Sequence, residues 1–259
     1  MPLIFIVLLL TLLGACERTN STAGFHGAFA TVGNSETDAA SAPIEVIDYQ
    51  GRTVMLSTPA KRIVALSPHI VENLFSAGLG EKIVASVSYA DYPAAAKNIP
   101  RIGGFSNFSV ESIIAHQPDL VIGWASGFAG FAALRERLEQ LGIAVYVDDP
   151  RSPHDIPRSI ADFAQLGGSD KNWQAAVAQY TAQLQQLQQH PAVPNANVDS
   201  ATTTDRARAK TQTLMDIEVS VFFEIWHRPL QTLNGEHMVS ELIQLCGGRN
   251  IFADAAVIA

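Results

Sequence analysis

Cysteine is nearly missing: the 259 residues hold only Cys16 and Cys246. Two cysteines build neither a disulfide framework nor a thiolate zinc site. Positive charge is also scarce, with 17 Lys and Arg against 25 Asp and Glu, and a net charge of -8. Basic residues form no run. Lys61-Arg62 is a pair, and Arg206, Arg208 and Lys210 sit in a polar stretch. A nucleic-acid surface needs clustered Lys and Arg to neutralise phosphates, so none is expected. Long apolar runs are absent too. Leu3 to Leu13, broken only by Thr11, is too short to cross a bilayer. The chain lacks Gly-x-Ser-x-Gly, a Walker loop, a dinucleotide glycine fingerprint and His-Glu-x-x-His. Ser67 and His69 lie too close along one segment to serve as nucleophile and base. The seven histidines do not cluster, and His227 and His237 are too far apart to share a helical face. These absences argue against an enzyme and against a metal site.

The 47% hydrophobic content belongs to a globular chain with a sizeable core. Leu3–Leu13 has the length of a secretory apolar region and runs into Leu13-Gly14-Ala15-Cys16. Small residues before a cysteine look like a bacterial lipobox, although no Lys or Arg precedes the run. That resemblance implies a signal peptide over 1–15 and lipidation of Cys16. Residues 16–42, rich in Gly, Ala, Ser, Thr and Asn, read as a flexible tether. Cys246, inside a helical pattern, is expected as a small buried hydrophobe.

From Pro43 onward the pattern becomes structural. Ile44–Asp48 and Thr53–Leu56 flank Gln50-Gly51 and predict a β-hairpin. Strand-like runs follow at Arg62–Leu66, Lys82–Val87, Asp119–Gly123 and Ile143–Val147. Between them, His69–Leu79, Val110–Ile114 and Phe131–Leu141 carry helical spacing. Such alternation predicts parallel βαβ units covered on both faces. Ile156, Ile160 and Phe163 mark one further helix. Trp173, Val177, Tyr180, Leu184 and Leu187 mark a longer one. His190–Thr213, rich in Pro, Asn, Ala and Thr, reads as a loop or insertion. A second α/β segment opens at Leu214, with a strand over Val219–Trp226 and a helix carrying Val239, Leu242, Ile243 and Cys246. One or two strands and one helix cannot close a core alone, so this lobe is expected to be truncated.

Several segments carry a family resemblance. They are Arg62–Pro68 with Glu72; Ser88-Tyr89-Ala90-Asp91-Tyr92-Pro93; Ser109–Ile113 with Pro118–Ile122; and Leu245–Phe252. Together they resemble the periplasmic binding proteins of the cobalamin, haem and ferric-siderophore ABC importers. The Ser-Tyr-x-Asp-Tyr-Pro segment with Gly123-Trp124 is most similar to the BtuF-type cobalamin-binding members. The resemblance implies an α/β fold of the class III kind, with two Rossmann-like lobes joined by a single long helix. The lobes would be 43–150 and a partial 214–259, with connecting helices over 151–190 and a polar insertion over 191–213. Ligand would sit between the lobes, outside the strand ends.

The same resemblance implies that Tyr89, Phe105, Trp124 and Trp226 line the ligand site, since flat aromatic walls suit a corrin face. At the Phe105 position a cobalamin-binding member of the family carries tryptophan. Glu111 matches the glutamate that docks one lobe on the permease. Cobalamin is implied as transported ligand, with no cofactor. Haem or a ferric siderophore is the alternative, with Tyr89 or His227 as axial ligand. A truncated, non-functional fragment is another. The implied partners are an ABC permease with its ATPase subunits, and the membrane through a lipid anchor. A monomer on the periplasmic face is expected. His69, after Ser67-Pro68 at a strand end, could face the cleft, and is expected as a hydrogen-bonded structural residue.

Overall fold

The computed structural model describes residues 42–104, 108–124, 130–189 and 219–256. The chain divides into two units, Met1–Ala40 and Ser41–Ala259, and every described residue belongs to the second. Cys16 and Phe105 lie outside the described residues.

The predicted hairpin forms from β1 (Ile44–Ile47) and β2 (Thr53–Leu56), antiparallel with Ile44 opposite Leu56. Its turn is organised by Asp48, whose carboxylate accepts from the Gln50 and Arg52 backbone N–H groups at 2.9 Å each. Gly51, at φ +74, supplies the left-handed residue the turn needs. The Arg52 guanidinium donates twice to Asp48 Oδ2 and once to Glu139 Oε1 at 2.6 Å. The Tyr49 N–H donates to the Val147 carbonyl at 3.1 Å. The hairpin is thereby tied to the main sheet.

That sheet has four parallel strands in the order β4-β3-β5-β6. They are β3 (Ile63–Ala65), β4 (Ile83–Ser86), β5 (Leu120–Gly123) and β6 (Ala144–Val147). Helices α1 (Pro68–Ser76), α2 (Val110–Ile114), α3 (Phe131–Gln140) and α4 (Ile156–Gly167) cover it. Strand side chains alternate between faces. Ile63, Ala65, Leu120, Ile122 and Tyr146 therefore join Ile70, Leu74, Ile160 and Phe163 from α1 and α4. Val64, Val121, Val145 and Val147 join Ile113, Phe131, Leu134 and Leu138 from α2 and α3. Both faces are buried, which is why these strands read as unbroken apolar runs. In β4 the register slips between Ile63/Ile83 and Val64/Ala85. The slip sends Ile83 to one cluster and Ala85 to the other despite their equal parity.

The long predicted helix is α5 (Trp173–Gln189), packed against α4. Leu184 is buried and Trp173 and Val177 half-buried, and the Tyr180 hydroxyl donates to the Pro153 carbonyl at 2.9 Å. Leu187, expected on the buried stripe, is exposed.

The C-terminal segment departs further from expectation. The strand predicted over Val219–Trp226 is broken. β7 (Val219–Val221) pairs in parallel with β10 (Gly248–Asn250), and that three-residue partner ends the ladder. Trp226 instead enters a small hairpin, β8 (Trp226–His227) with β9 (Leu230–Gln231). Helix α6 (Met238–Leu245) forms as predicted, but Leu242 is exposed and Ser240 is its buried residue. Cys246 follows the helix end and is exposed, not buried. The polar Asn250 holds the segment together: its buried amide donates to the Leu233 carbonyl at 2.9 Å and to Ser240 Oγ at 2.8 Å. Ser240 Oγ donates in turn to the Asn234 carbonyl.

Removing a partner from a buried ion pair leaves an uncompensated charge. Asp48→Ala is expected to cost about 3 kcal/mol of stability by urea unfolding. Glu139→Ala, which removes only the exposed arm of the same arginine, should cost less than about 1 kcal/mol.

Candidate functional site

Strand order locates the site. The chain moves from β3 outward to β4, then crosses back over β3 to β5 and continues to β6. The direction of winding therefore reverses between β3 and β5, and a crevice opens outside their C-terminal ends. Four segments meet that edge: Leu66–His69, Ser88–Tyr92, Trp124, and Asp148–Arg151.

Trp124 leaves β5 half-buried, and its indole N–H donates to Asp149 Oδ1 at 3.2 Å. The His69 ring packs against it in a T-shaped pair, with centroids 5.8 Å apart and planes at 87°. Nδ1 of His69 lies 2.7 Å from Ser67 Oγ, and Nε2 lies 3.3 Å from Asp148 Oδ2. The second contact brings the atoms together without hydrogen-bond alignment. Asp148 is completely buried, and its Oδ1 accepts from Ser159 Oγ at 2.6 Å. Ser159 also contacts the Tyr49 hydroxyl at 3.1 Å. Burial pushes the Tyr49 phenol up to about 12, although its bond to Ser159 opposes the rise. The Arg158 guanidinium sits 4.2 Å over the Tyr49 ring. Burial also raises the neighbouring Asp162 carboxyl, against the pull of its bonds with Tyr146 and Arg158. One polar chain thus runs from the sheet edge into α4.

Tyr89, the first aromatic expected at the site, follows β4 and is 85% exposed. Its φ of +67 is unusual for a non-glycine residue and turns the loop sharply. Tyr92 is exposed as well. Arg101 latches this loop to the sheet. It donates to Ser86 Oγ at 2.7 Å, to the Ala90 carbonyl at 2.7 Å and to the Ala96 carbonyl at 3.1 Å. The sequence offered no signal for this latch beyond one arginine near an aromatic loop. Trp226 is 57% exposed on its own hairpin, where its indole N–H donates to the Arg228 carbonyl at 3.0 Å. Trp124 and Tyr89 therefore share the sheet edge, while Trp226 belongs to the C-terminal segment. The two parts touch through Ser152, whose hydroxyl donates to Glu241 Oε2 at 2.8 Å, beside a crevice of about 300 Å³ lined by Leu187, Gln188, Gln244 and Leu245.

Glu111 is exposed in the first turn of α2. Its carboxyl is held below the usual range by its own backbone N–H and by the Ser109 hydroxyl. Ser109 and Ser112 form a reciprocal cap around it. Among the described residues, no group of three His, Cys, Asp or Glu side chains is placed to hold a metal ion.

Residues 63–255 match the family described as periplasmic binding protein. The chain belongs to that family. Membership implies export to the periplasm, and the family is one of solute receptors, not enzymes. This periplasmic binding protein is 34% identical over 195 residues to the vitamin B12-binding protein of Vibrio campbellii, covering 75% of this chain and 62% of the relative. The vitamin B12-binding protein of Yersinia pestis is 30% identical over 198 residues, covering 76% and 62%. Among solved structures, the periplasmic vitamin B12 binding protein of Vibrio cholerae superposes with a TM-score of 0.59 at 30% identity, covering 77% of this chain and 69% of that one. The periplasmic heme-binding protein RhuT from Roseiflexus gives 0.57 at 24% identity, over 77% and 68%, which shows the shared fold. The α/β receptor architecture implied by the sequence resemblance is thus shown. The chain spans under two thirds of the length of these curated relatives.

The Arg101 latch predicts a local effect. Arg101→Ala should speed amide exchange over 87–99 by about tenfold, while β5 and β6 keep their protection. Unchanged exchange in that loop would mean that Arg101 does not order it.

Proposed function

We propose that this chain is the extracytoplasmic receptor of an ABC importer, and that it captures cobalamin and delivers it to the permease. The observation that carries the reading is the 34% identity to a vitamin B12-binding protein over the stretch that builds the sheet edge. The chemistry of that edge agrees. Trp124 and Tyr89 offer flat, torsionally simple surfaces to a macrocycle, and the ligand needs no reacting group. Phe105 would join them, and Trp226 would face them from the C-terminal segment. In this reading 43–150 is one lobe, 151–190 the connecting helices, 191–213 an insertion, and 214–259 belongs to the second lobe. Glu111, exposed and held ionised by its cap, would meet cationic permease residues. Cys16 would carry the lipid that keeps the receptor at the membrane, after removal of residues 1–15.

Calorimetric titration with cyanocobalamin tests the reading directly. Sub-micromolar binding is expected. Trp124→Ala should weaken it roughly 10–100-fold, about 1.4–2.7 kcal/mol, with an unchanged melting transition. Haemin binding with silence toward cyanocobalamin would replace the ligand and keep the receptor role. Glu111→Ala should leave ligand affinity within about twofold while permease association falls about tenfold. Equal association would remove Glu111 from docking. Metabolic labelling with a palmitate analogue should tag the chain and fail on Cys16→Ser.

A further inference from the structure

His69 is the residue at the sheet edge that the aromatic wall does not account for. It occupies the second position of α1, behind Ser67 and Pro68. Ser67 is the N-cap residue of that helix, yet its side chain makes no cap hydrogen bond. Its hydroxyl is engaged by His69 Nδ1 at 2.7 Å instead. On the other side of the ring, Nε2 faces Asp148 Oδ2 at 3.3 Å. A carboxylate can only accept, so in the neutral ring Nε2 carries the hydrogen and Nδ1 accepts from Ser67. Asp148 is fully buried, and Oδ2 has no aligned donor among the described residues. A buried acceptor of that kind is costly to leave unpaired, so it holds the Nε2 edge toward itself.

Both nitrogens are therefore turned into the protein, and the ring is oriented by two anchors on different elements. The ring packs T-shaped against the Trp124 indole, with the planes at 87°. Trp124 has its own tether at Asp149, the next residue after Asp148. The Asp148 N–H donates to the Gly123 carbonyl at 2.8 Å, so the residue preceding Trp124 is clamped to the residue that anchors His69. The indole is thus held at its N–H by Asp149 and on its ring by His69, and the backbone just before it is held by Asp148.

We infer that His69, anchored between Ser67 and buried Asp148, is a positioning residue that sets the orientation of the Trp124 indole for the bound ligand. The inference rests on the ligand-site reading above. It also places the His69 nitrogens away from any metal centre the ligand carries. His69 acts through Trp124, so its effect disappears when Trp124 is gone.

A double-mutant cycle reads this directly. In the chain with all three tryptophans, His69→Ala should weaken cyanocobalamin binding about tenfold, and in the Trp124→Ala background less than about twofold. An equal loss in both backgrounds would show a direct ligand contact or a general defect and would overturn the assignment. A second arm needs no ligand. With Trp173→Phe and Trp226→Phe, Trp124 is the sole indole. His69→Ala should then red-shift its emission and raise its acrylamide quenching about threefold, because a half-buried ring loses a packing neighbour. Unchanged emission and quenching would sink the proposal. If the parent chain binds no corrinoid, the ligand reading fails, and the fluorescence arm alone decides the role of His69. If His69→Ala loses its cooperative melt, the same measurements are made on His69→Asn.

Discussion

Every strand of the four-stranded parallel sheet is apolar on both sides, with Val64, Val121 and Val145 against α2 and α3, and Ile63, Leu120 and Ile122 against α1 and α4. That double burial constrains the rest of the molecule. With both faces given to packing, polar and aromatic groups that meet a ligand have only the strand ends to occupy. The reversal of winding between β3 and β5 then selects the C-terminal end as the open one. Ser67, His69, Trp124, Asp148 and Asp149 all lie within a few residues of where their strands stop.

Among the described residues, polar groups inside this fold are few, and three of them join elements. Asp48 draws together its turn and Arg52, and Arg52 reaches Glu139 on α3. Asp148 connects the end of β6 to Ser159 on α4 and, by contact, to His69 on α1. Asn250 does the same for the C-terminal segment, where the apolar side chains stay largely exposed. Each is a short side chain with several acceptors or donors, placed where two or three elements end together. A buried carboxylate or amide is tolerated only when its partners come from the surrounding structure. These residues therefore report how the elements are arranged, more than how strongly they adhere.

Much of the fold was legible in the residues. Hydrophobic period alone locates β1 to β6 and α1 to α6 to within a few positions, because apolar runs and helical stripes are local. Trp124 was legible as a residue of the sheet edge because it directly follows a strand of the sheet. The prediction over Val219–Trp226 failed for a nonlocal reason: the strand ends at Val221 because its partner β10 offers only three residues. Cys246 failed likewise, since a helical stripe says which face is apolar but not whether anything covers it. His69 was read as a bland structural residue, and the Ser67 and Asp148 contacts that orient it involve a carboxylate 79 positions away.

By itself, then, the sequence determined the element order through α5, the α/β class and the family, each of which depends on short-range pattern or on whole-segment similarity. It also named Tyr89 and Trp124 as aromatics at strand ends. Only the tertiary structure decided how those rings are held. The packing of His69 on Trp124, the Arg101 latch on the Ala90 carbonyl and the burial of Asp148 all join residues brought together by the tertiary structure, and directional contacts of a few ångströms leave no periodic trace along the chain.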